Sequence, residues 1–458
     1  MALVLALLLL AGAFQTEDRP LAPGGLEGRP SLDRVSPLQA RIDAALPGAT
    51  LEVAAGTYEG DLFIDRSLQL VGRDRPTLVG SGEGSVVRVR APDVTIEGFD
   101  IDGRGGGDLG RDSSGIHVAA ARVTVRDCRI RQSLFGVYLR EAPDGVVEKC
   151  FIRGIPGKAP GEKGSGIHVW GTEGFRFTEN EVVDARDGFY IQSSSKGRIV
   201  GNVARDLRYG LHYMYADDNV FEDNLFENNA AGAVVMYSHR IEFRRNRFLR
   251  NRGFASVGLL LQSCDDVVAE DNLIADNARG VFLEGSHRNL FQRNVIAQSD
   301  TAIVLYASAT GIRFEENSFV GNLTPLTLVG KRPDATFAGN YWSEHAEPDL
   351  DGDGFSDRPY RLTSVFDHFR SNLTAADLFS QAFAADALGL AERAFPVLEP
   401  VAVVDATPLA RPPSLPDVPA AHDGQGGMNA GGVAASALLI GMGAFSLVRG
   451  RRRKREGQ

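Results

Sequence analysis

Methionine, cysteine and tryptophan are scarce in this chain, with five, three and two residues among 458. Three cysteines, Cys128, Cys150 and Cys264, are too few to build a disulfide framework. The body of the chain also lacks a basic run. With a net charge of -10, it offers no basic face for a phosphate backbone, which excludes nucleic acid as a partner. Long apolar runs are confined to the two ends. "MALVLALLLLAGAFQ" closes on Ala11, Gly12 and Ala13, a small-residue cleavage pattern, although the charged start of a secretory signal is missing. "GGVAASALLIGMGAFSLV" has no charge and is followed at once by "RGRRRKR", the pattern of a membrane span with its basic flank in the cytoplasm. Together these ends predict that most of the chain lies outside the cytoplasm, held by a C-terminal anchor.

Glycine, in contrast, is plentiful at 52 residues, and much of it is periodic. Gly115, Gly136, Gly166, Gly188, Gly210, Gly232, Gly258 and Gly280 each open a run of alternating apolar residues. A second signature is a fixed asparagine: Asn180, Asn202, Asn224, Asn246, Asn272, Asn294, Asn317 and Asn340, mostly 22 or 23 residues apart. A period of this length with short strands predicts one coil of a parallel β-helix, which buries its inner face only by stacking on its neighbours. The asparagines predict an internal ladder of side-chain amides. Cys128 and Cys150 fall at the ladder position of two earlier coils and read as small buried thiols in place of Asn.

The expected order is a signal peptide (1–13), a β-helix with an N-terminal cap (35–340), an Asp-rich tail motif (341–362) and a helical docking segment (363–396). A Pro-rich linker (397–430), a transmembrane helix (431–448) and a basic cytoplasmic tail (449–458) follow. The capping helix is expected in "SPLQARIDAALPG". Two Gly-rich stretches, "DGRGGGDLGRD" and "GIPGKAPGEKG", lack the order of phosphate-binding motifs and read as loops between coils.

Side chains alternate faces along a strand. Counting from each repeat glycine, the apolar positions +1 and +3 must face the core, so +2 and +4 face outward. His212 and Met214 then share the outer face of "YGLHYM", and Met236 sits one coil on at the position of Met214. Coils are about 4.8 Å apart, close to twice a metal–sulfur bond of about 2.3 Å. Thioether and imidazole favour Cu(I) over hard ions. His168 continues the column and His239 lies just past Met236, completing a candidate copper set on an exposed face. The alternative is an outward apolar contact surface. Separately, Asp349, Asp351, Asp353 and Asp357 follow the spacing of a calcium loop, with Tyr360 where the closing Glu would stand.

"GNYWSEHAEPDLDGDGFSDRPY", "RYGLHYMYADDNVFEDNLFENNAAGAVVMYS" and "LAERAFPVLEPVAVVDATPLARP" together resemble the NosD family, over roughly residues 35 to 410. That resemblance implies a right-handed β-helix and a non-enzymatic periplasmic role in maturing nitrous oxide reductase. It also implies an ATP-binding-cassette ATPase and permease as partners, and a copper chaperone that delivers Cu(I) for a copper-sulfide centre. By position, His212, Met214 and Met236 would relay the copper, and the helical segment would dock on the permease. The competing reading is a polysaccharide C5-epimerase or lyase. Its outward candidates, Asp217, Asp218, Asp265, Asp266 and Arg140, are expected on loops without a shared column, and no "DPHD" run is present.

Overall fold

Each coil is a sequence of three short strands separated by sharp corners. In the computed structural model, which describes residues 36–107, 109–253, 256–330, 334–345, 347–361 and 403–413, the coils form a parallel β-helix. Its three sheets hold 15, 13 and 12 strands. Successive strands take turns among the sheets, so each pairs with the strand one coil before and one coil after. In the third sheet Asp187–Gln192 pairs with Tyr209–Met214, which pairs with Ala231–His239.

The repeat glycines are required by close approach. A Cβ at Gly210 would lie 2.6 Å from the carbonyl oxygen of Gly232 and 2.7 Å from the Phe226 ring. The corners between the first and second sheets turn on one left-handed residue. Asp223, Arg245 and Asp271, with φ of 55°, 52° and 57°, each precede a ladder asparagine. The positions +1 and +3 face inward as expected, and Leu211, Tyr213, Ala233 and Val235 are fully buried. Phe221 stacks on Phe243 one coil on, with ring centroids 4.9 Å apart.

The asparagine ladder forms in full. Asn224 Oδ1 accepts from the backbone N–H of Asn202 at 2.9 Å and from its Nδ2 at 3.0 Å, while Asn224 Nδ2 donates to the Ile199 carbonyl at 2.8 Å. Every polar group at this buried corner is thereby paired, where an unpaired one would cost about 1–3 kcal/mol. Cys150 takes a rung as a free buried thiol, its backbone N–H donating to Asn180 Oδ1, and Cys128 is likewise free and buried. A second ladder, at the corner between the second and third sheets, runs through Asn229, Asn251 and Asn277 and continues by Ser299 to Asn322.

Both ends are closed. The helix Pro37–Ala44 starts at the N-cap Ser36 and buries Leu38 and Ile42 in the core. Its Gln39 side chain donates to the Phe63 carbonyl and accepts from the Phe63 N–H, at 2.9 and 2.8 Å. At the other end the ladder outlasts Asn340. Asp405 Oδ2 accepts from the Asn340 N–H, Asn340 Nδ2 and Trp342 Nε1, at 3.0, 2.9 and 3.1 Å. Residues 403–413, expected within an extended linker, are instead part of this cover. Val404–Asp405 pairs with Ala335–Ala338 and, antiparallel, with Tyr360–Arg361. A buried carboxylate whose Oδ2 takes three donors holds this short stretch where a free linker would have nothing to gain.

The signal peptide, the helical docking segment, the transmembrane helix and the basic tail lie outside the described residues. Among the described residues, no helix is long and apolar enough to cross a membrane.

Candidate functional site

The third sheet's outer face carries the column read from the sequence. Met214 and Met236 are register partners on adjacent strands, and His212 lies two residues before Met214 on the same face. The face is directed away from the core but is not exposed as expected: His212 is 5 % and Met214 3 % exposed, and Met236 is half-buried. The reason is lateral packing. Tyr190 and Tyr209 meet the His212 ring edge-on at 4.7 and 5.4 Å, while Met236 packs in an outer apolar cluster with Val234, Leu260 and Phe282. The alternative read from the sequence, an outward apolar surface, therefore describes the rungs beyond Met236.

His212 is held in one orientation. Its Nδ1 lies 3.3 Å from Asp187 Oδ2, and its buried Nε2 has no partner. Asp187 is fully buried and accepts from Arg208 Nε at 2.9 Å and Nη2 at 2.8 Å. Burial would raise the Asp187 carboxyl, but the hydrogen bonds from His212 and Arg208 outweigh it and hold the group well below the usual carboxylate range. A carboxylate fixed at Nδ1 leaves the Nε2 lone pair free, the arrangement that orients imidazole toward a metal. Asp187 and Arg208 went unnoticed in the sequence. Asp187 precedes Gly188, at a position that other coils fill with Ser, Phe, Tyr, Ala, Val or Arg, so no periodicity marks it.

The other candidates are separate. His168 lies two coils before His212 with Tyr190 between them, stacked on Tyr190 at 4.3 Å. Its Nδ1 is buried without a partner, and burial pushes the imidazole down to about 3. His117, Tyr138, His168, Tyr190 and His212 in fact occupy five successive rungs, each ring touching the next. The two Gly-rich loops fold toward this ladder's first half, where Ile155 and Leu109 pack with Phe135, Tyr138 and Trp170. His239 ends its strand beyond the left-handed Tyr237, and its Nδ1 turns to Asp217 at 3.2 Å. The column thus contributes one imidazole and two thioethers to a single patch.

Asp217, Asp218, Asp265 and Asp266 do share a column, contrary to expectation. Paired acids alternate by coil with His239–Arg240 and His287–Arg288. Arg240 bonds both oxygens of Asp218 at 2.6 and 2.9 Å, and Arg288 both oxygens of Asp266 at 2.8 Å. In the Asp-rich tail, carboxylate oxygens of Asp349, Asp351 and Asp353 lie within 4.8 Å of one another. Asp357 is not part of that group; its Oδ2 accepts from the Leu350 N–H at 2.6 Å.

Residues 152–347 match the family model "Periplasmic copper-binding protein (NosD)". The chain is 30 % identical over 380 residues to the "Probable ABC transporter binding protein NosD" of Stutzerimonas stutzeri, covering 79 % of this chain and 86 % of that protein. The protein of the same name from Pseudomonas aeruginosa is 28 % identical over 381 residues, covering 79 % and 88 %. Among solved structures, the A-module of mannuronan C-5 epimerase AlgE4 from Azotobacter vinelandii aligns with a TM-score of 0.55 at 17 % identity, over 66 % of this chain and 94 % of that one. The Streptococcus pneumoniae surface adhesin PfbA aligns with a TM-score of 0.52 at 13 % identity, over 72 % and 94 %. These two share the fold, which hosts unrelated activities. The relatives cover 79 % of the chain, the matched family model spans the coils that carry His212, Met214 and Met236, and the chain belongs to the NosD family.

Proposed function

We propose that this protein is a non-enzymatic periplasmic maturation factor that accepts Cu(I) and passes it on toward the copper-sulfide centre of nitrous oxide reductase. An ATP-binding-cassette ATPase and permease and a copper chaperone are its partners. The observation that carries this reading is the patch itself. Two thioethers in register on adjacent strands stand beside an imidazole whose Nε2 is unpartnered and whose Nδ1 is fixed by Asp187. Soft neutral ligands on two neighbouring strands suit Cu(I), and three of them are few enough to release it to an acceptor. The description of the matching family as copper-binding and the naming of both relatives as ABC transporter binding proteins support the same reading.

Two of the four acids that a sugar-modifying enzyme could use, Asp218 and Asp266, are each clamped by an arginine. General acid–base work needs such a group free to exchange a proton with substrate. A Ca2+ ion at Asp349, Asp351 and Asp353 completes the reading as a structural ion next to the C-terminal cover.

Anaerobic Cu(I) titration of the purified chain tests the proposal. One equivalent is expected to bind tightly, with a loss of roughly 100-fold or more in Met214→Ala/Met236→Ala. Unchanged affinity in that double variant would overturn the relay, and release of unsaturated uronates from alginate or pectin would favour the enzyme.

A further inference from the structure

The sharp corners of the solenoid turn on left-handed residues. Tyr215 and Tyr237, with φ of 50° and 52°, are the only aromatic residues at non-glycine left-handed positions among the described residues, and all the others are polar. A bulky side chain is least at ease in that conformation, and the coils on either side place Ser193 and Ser263 there. Burial does not explain the pair: the rings stack on each other at 5.1 Å but are 56 % and 43 % exposed. Each directly follows a thioether of the copper patch, Met214 or Met236. The corner beside that patch is therefore built differently from its neighbours.

Past the tyrosines the same two coils carry Asp217 and His239. Asp217 Oδ1 accepts from the His239 backbone N–H at 2.7 Å and lies 3.2 Å from its Nδ1. A carboxylate at Nδ1 orients an imidazole and leaves Nε2 as the donor atom, which repeats on the surface what Asp187 does for His212 inside. The His239 side chain is 46 % exposed, and among the described residues its Nε2 has no hydrogen-bond partner. The patch itself is nearly closed: His212 and Met214 are buried, and Met236 is its most exposed member. His239 is three residues on from Met236, so their Cα atoms lie at most about 11 Å apart. Methionine is unbranched, with three rotatable bonds, so its sulfur can swing toward the corner.

A closed set of ligands holds Cu(I) well but fills slowly, because the ion must shed its carrier's ligands before it reaches buried sulfur. An exposed imidazole beside such a set removes that difficulty by binding the ion while the carrier lets go. We propose that His239 is the entry ligand of the patch, its Nε2 taking Cu(I) at the corner and Met236 drawing the ion inward. The tyrosine stack borders this path, since Tyr237 lies between Met236 and His239 in the chain, and aromatic faces attract a cation. Imidazole followed by thioether keeps the ion on donors that favour Cu(I) throughout. Copper stays Cu(I), and each step exchanges one neutral ligand for another.

The entry role rests on the copper reading, and one experiment separates the two. The full chain is mixed anaerobically with the Cu(I) complex of bicinchoninate, whose colour fades as copper leaves it, and both the rate and the end point are followed. His239→Ala is expected to load roughly ten-fold or more slowly while reaching the parent's end point. His239→Met puts a soft exposed ligand back at the corner and is expected to recover most of the rate. Met214→Ala/Met236→Ala is expected to fall short of the end point instead. Equal rates in the parent and His239→Ala would overturn the entry role. So would a lowered end point in His239→Ala, which would make His239 a resident ligand. A parent that takes no copper from the complex would remove the copper reading itself, and the entry role with it.

Discussion

Asp187 and His212 lie on adjacent strands of the third sheet, and the carboxylate Oδ2 stands 3.3 Å from the imidazole Nδ1 while Arg208 holds the same carboxylate from its other side. The pair orients the one imidazole beside Met214. Asp187→Asn is expected to lower Cu(I) affinity by about 10–100-fold and to leave the two sulfur scatterers visible in the copper X-ray absorption spectrum. Asp187→Glu is expected to recover part of the loss. A spectrum that loses its sulfur contribution would mean that Asp187 supports the fold of the patch rather than the ring.

The C-terminal cover makes its own prediction. Asp405 is fully buried and its Oδ2 satisfies three donors. Asp405→Ala strips all three, at about 1–3 kcal/mol each when a donor stays buried and unpaired. Urea unfolding is expected to show a loss of at least 2 kcal/mol, and hydrogen exchange is expected to rise around Asn340 and Trp342 before the central coils. Uniform exchange along the chain would contradict a local cover.

His117 sets a pH dependence. Burial first, and then the guanidiniums of Arg90, Arg140 and Arg88, hold its folded-state value at about 4, below the ordinary imidazole value of about 6.5, so between these values the unfolded chain binds the extra proton. Stability therefore falls as pH drops from about 6.5 and stops responding to this group below about 4. The slope attributable to it is at most about 1.4 kcal/mol per pH unit. Melting curves of His117→Phe are expected to show a shallower acid slope over that window; an unchanged slope would reject the assignment.

Calcium is expected to bind at Asp349, Asp351 and Asp353 with the weak affinity of extracellular sites, about 10⁻⁴–10⁻³ M. Asp351→Asn should weaken it, whereas Asp357→Asn should mainly loosen the turn at Leu350. Isothermal titration with both variants separates these effects, and equal losses would return Asp357 to the ligand set.

Much of this was legible in the sequence because a solenoid repeats its physics. Gly210 and Gly232 mark the same close approach, and Asn202 and Asn224 the same corner, so the register of Met214 and Met236 followed from spacing alone. The second ladder was missed because it is chemically mixed. Leu207 starts its column and Ser299 interrupts it, which breaks the amide signature. Burial of His212 depends on the rings of Tyr190 and Tyr209, and no alternation of apolar and polar residues records what stands beside a strand. Asp405 was out of reach for a different reason. It lies 65 residues from Asn340 in a Pro-rich stretch, and only the folded chain brings the two together.

The Gln39 side chain, which occupies both the N–H and the carbonyl of Phe63, has a consequence for solubility. Leu62–Ile64 is the outermost strand of its sheet at the N-terminal end, and an unoccupied edge there would present a template for the last coil of another molecule. Because every coil repeats the same spacing, such a junction would propagate head to tail into a filament. One glutamine amide, imitating the backbone it covers, acts as a terminator of polymer growth.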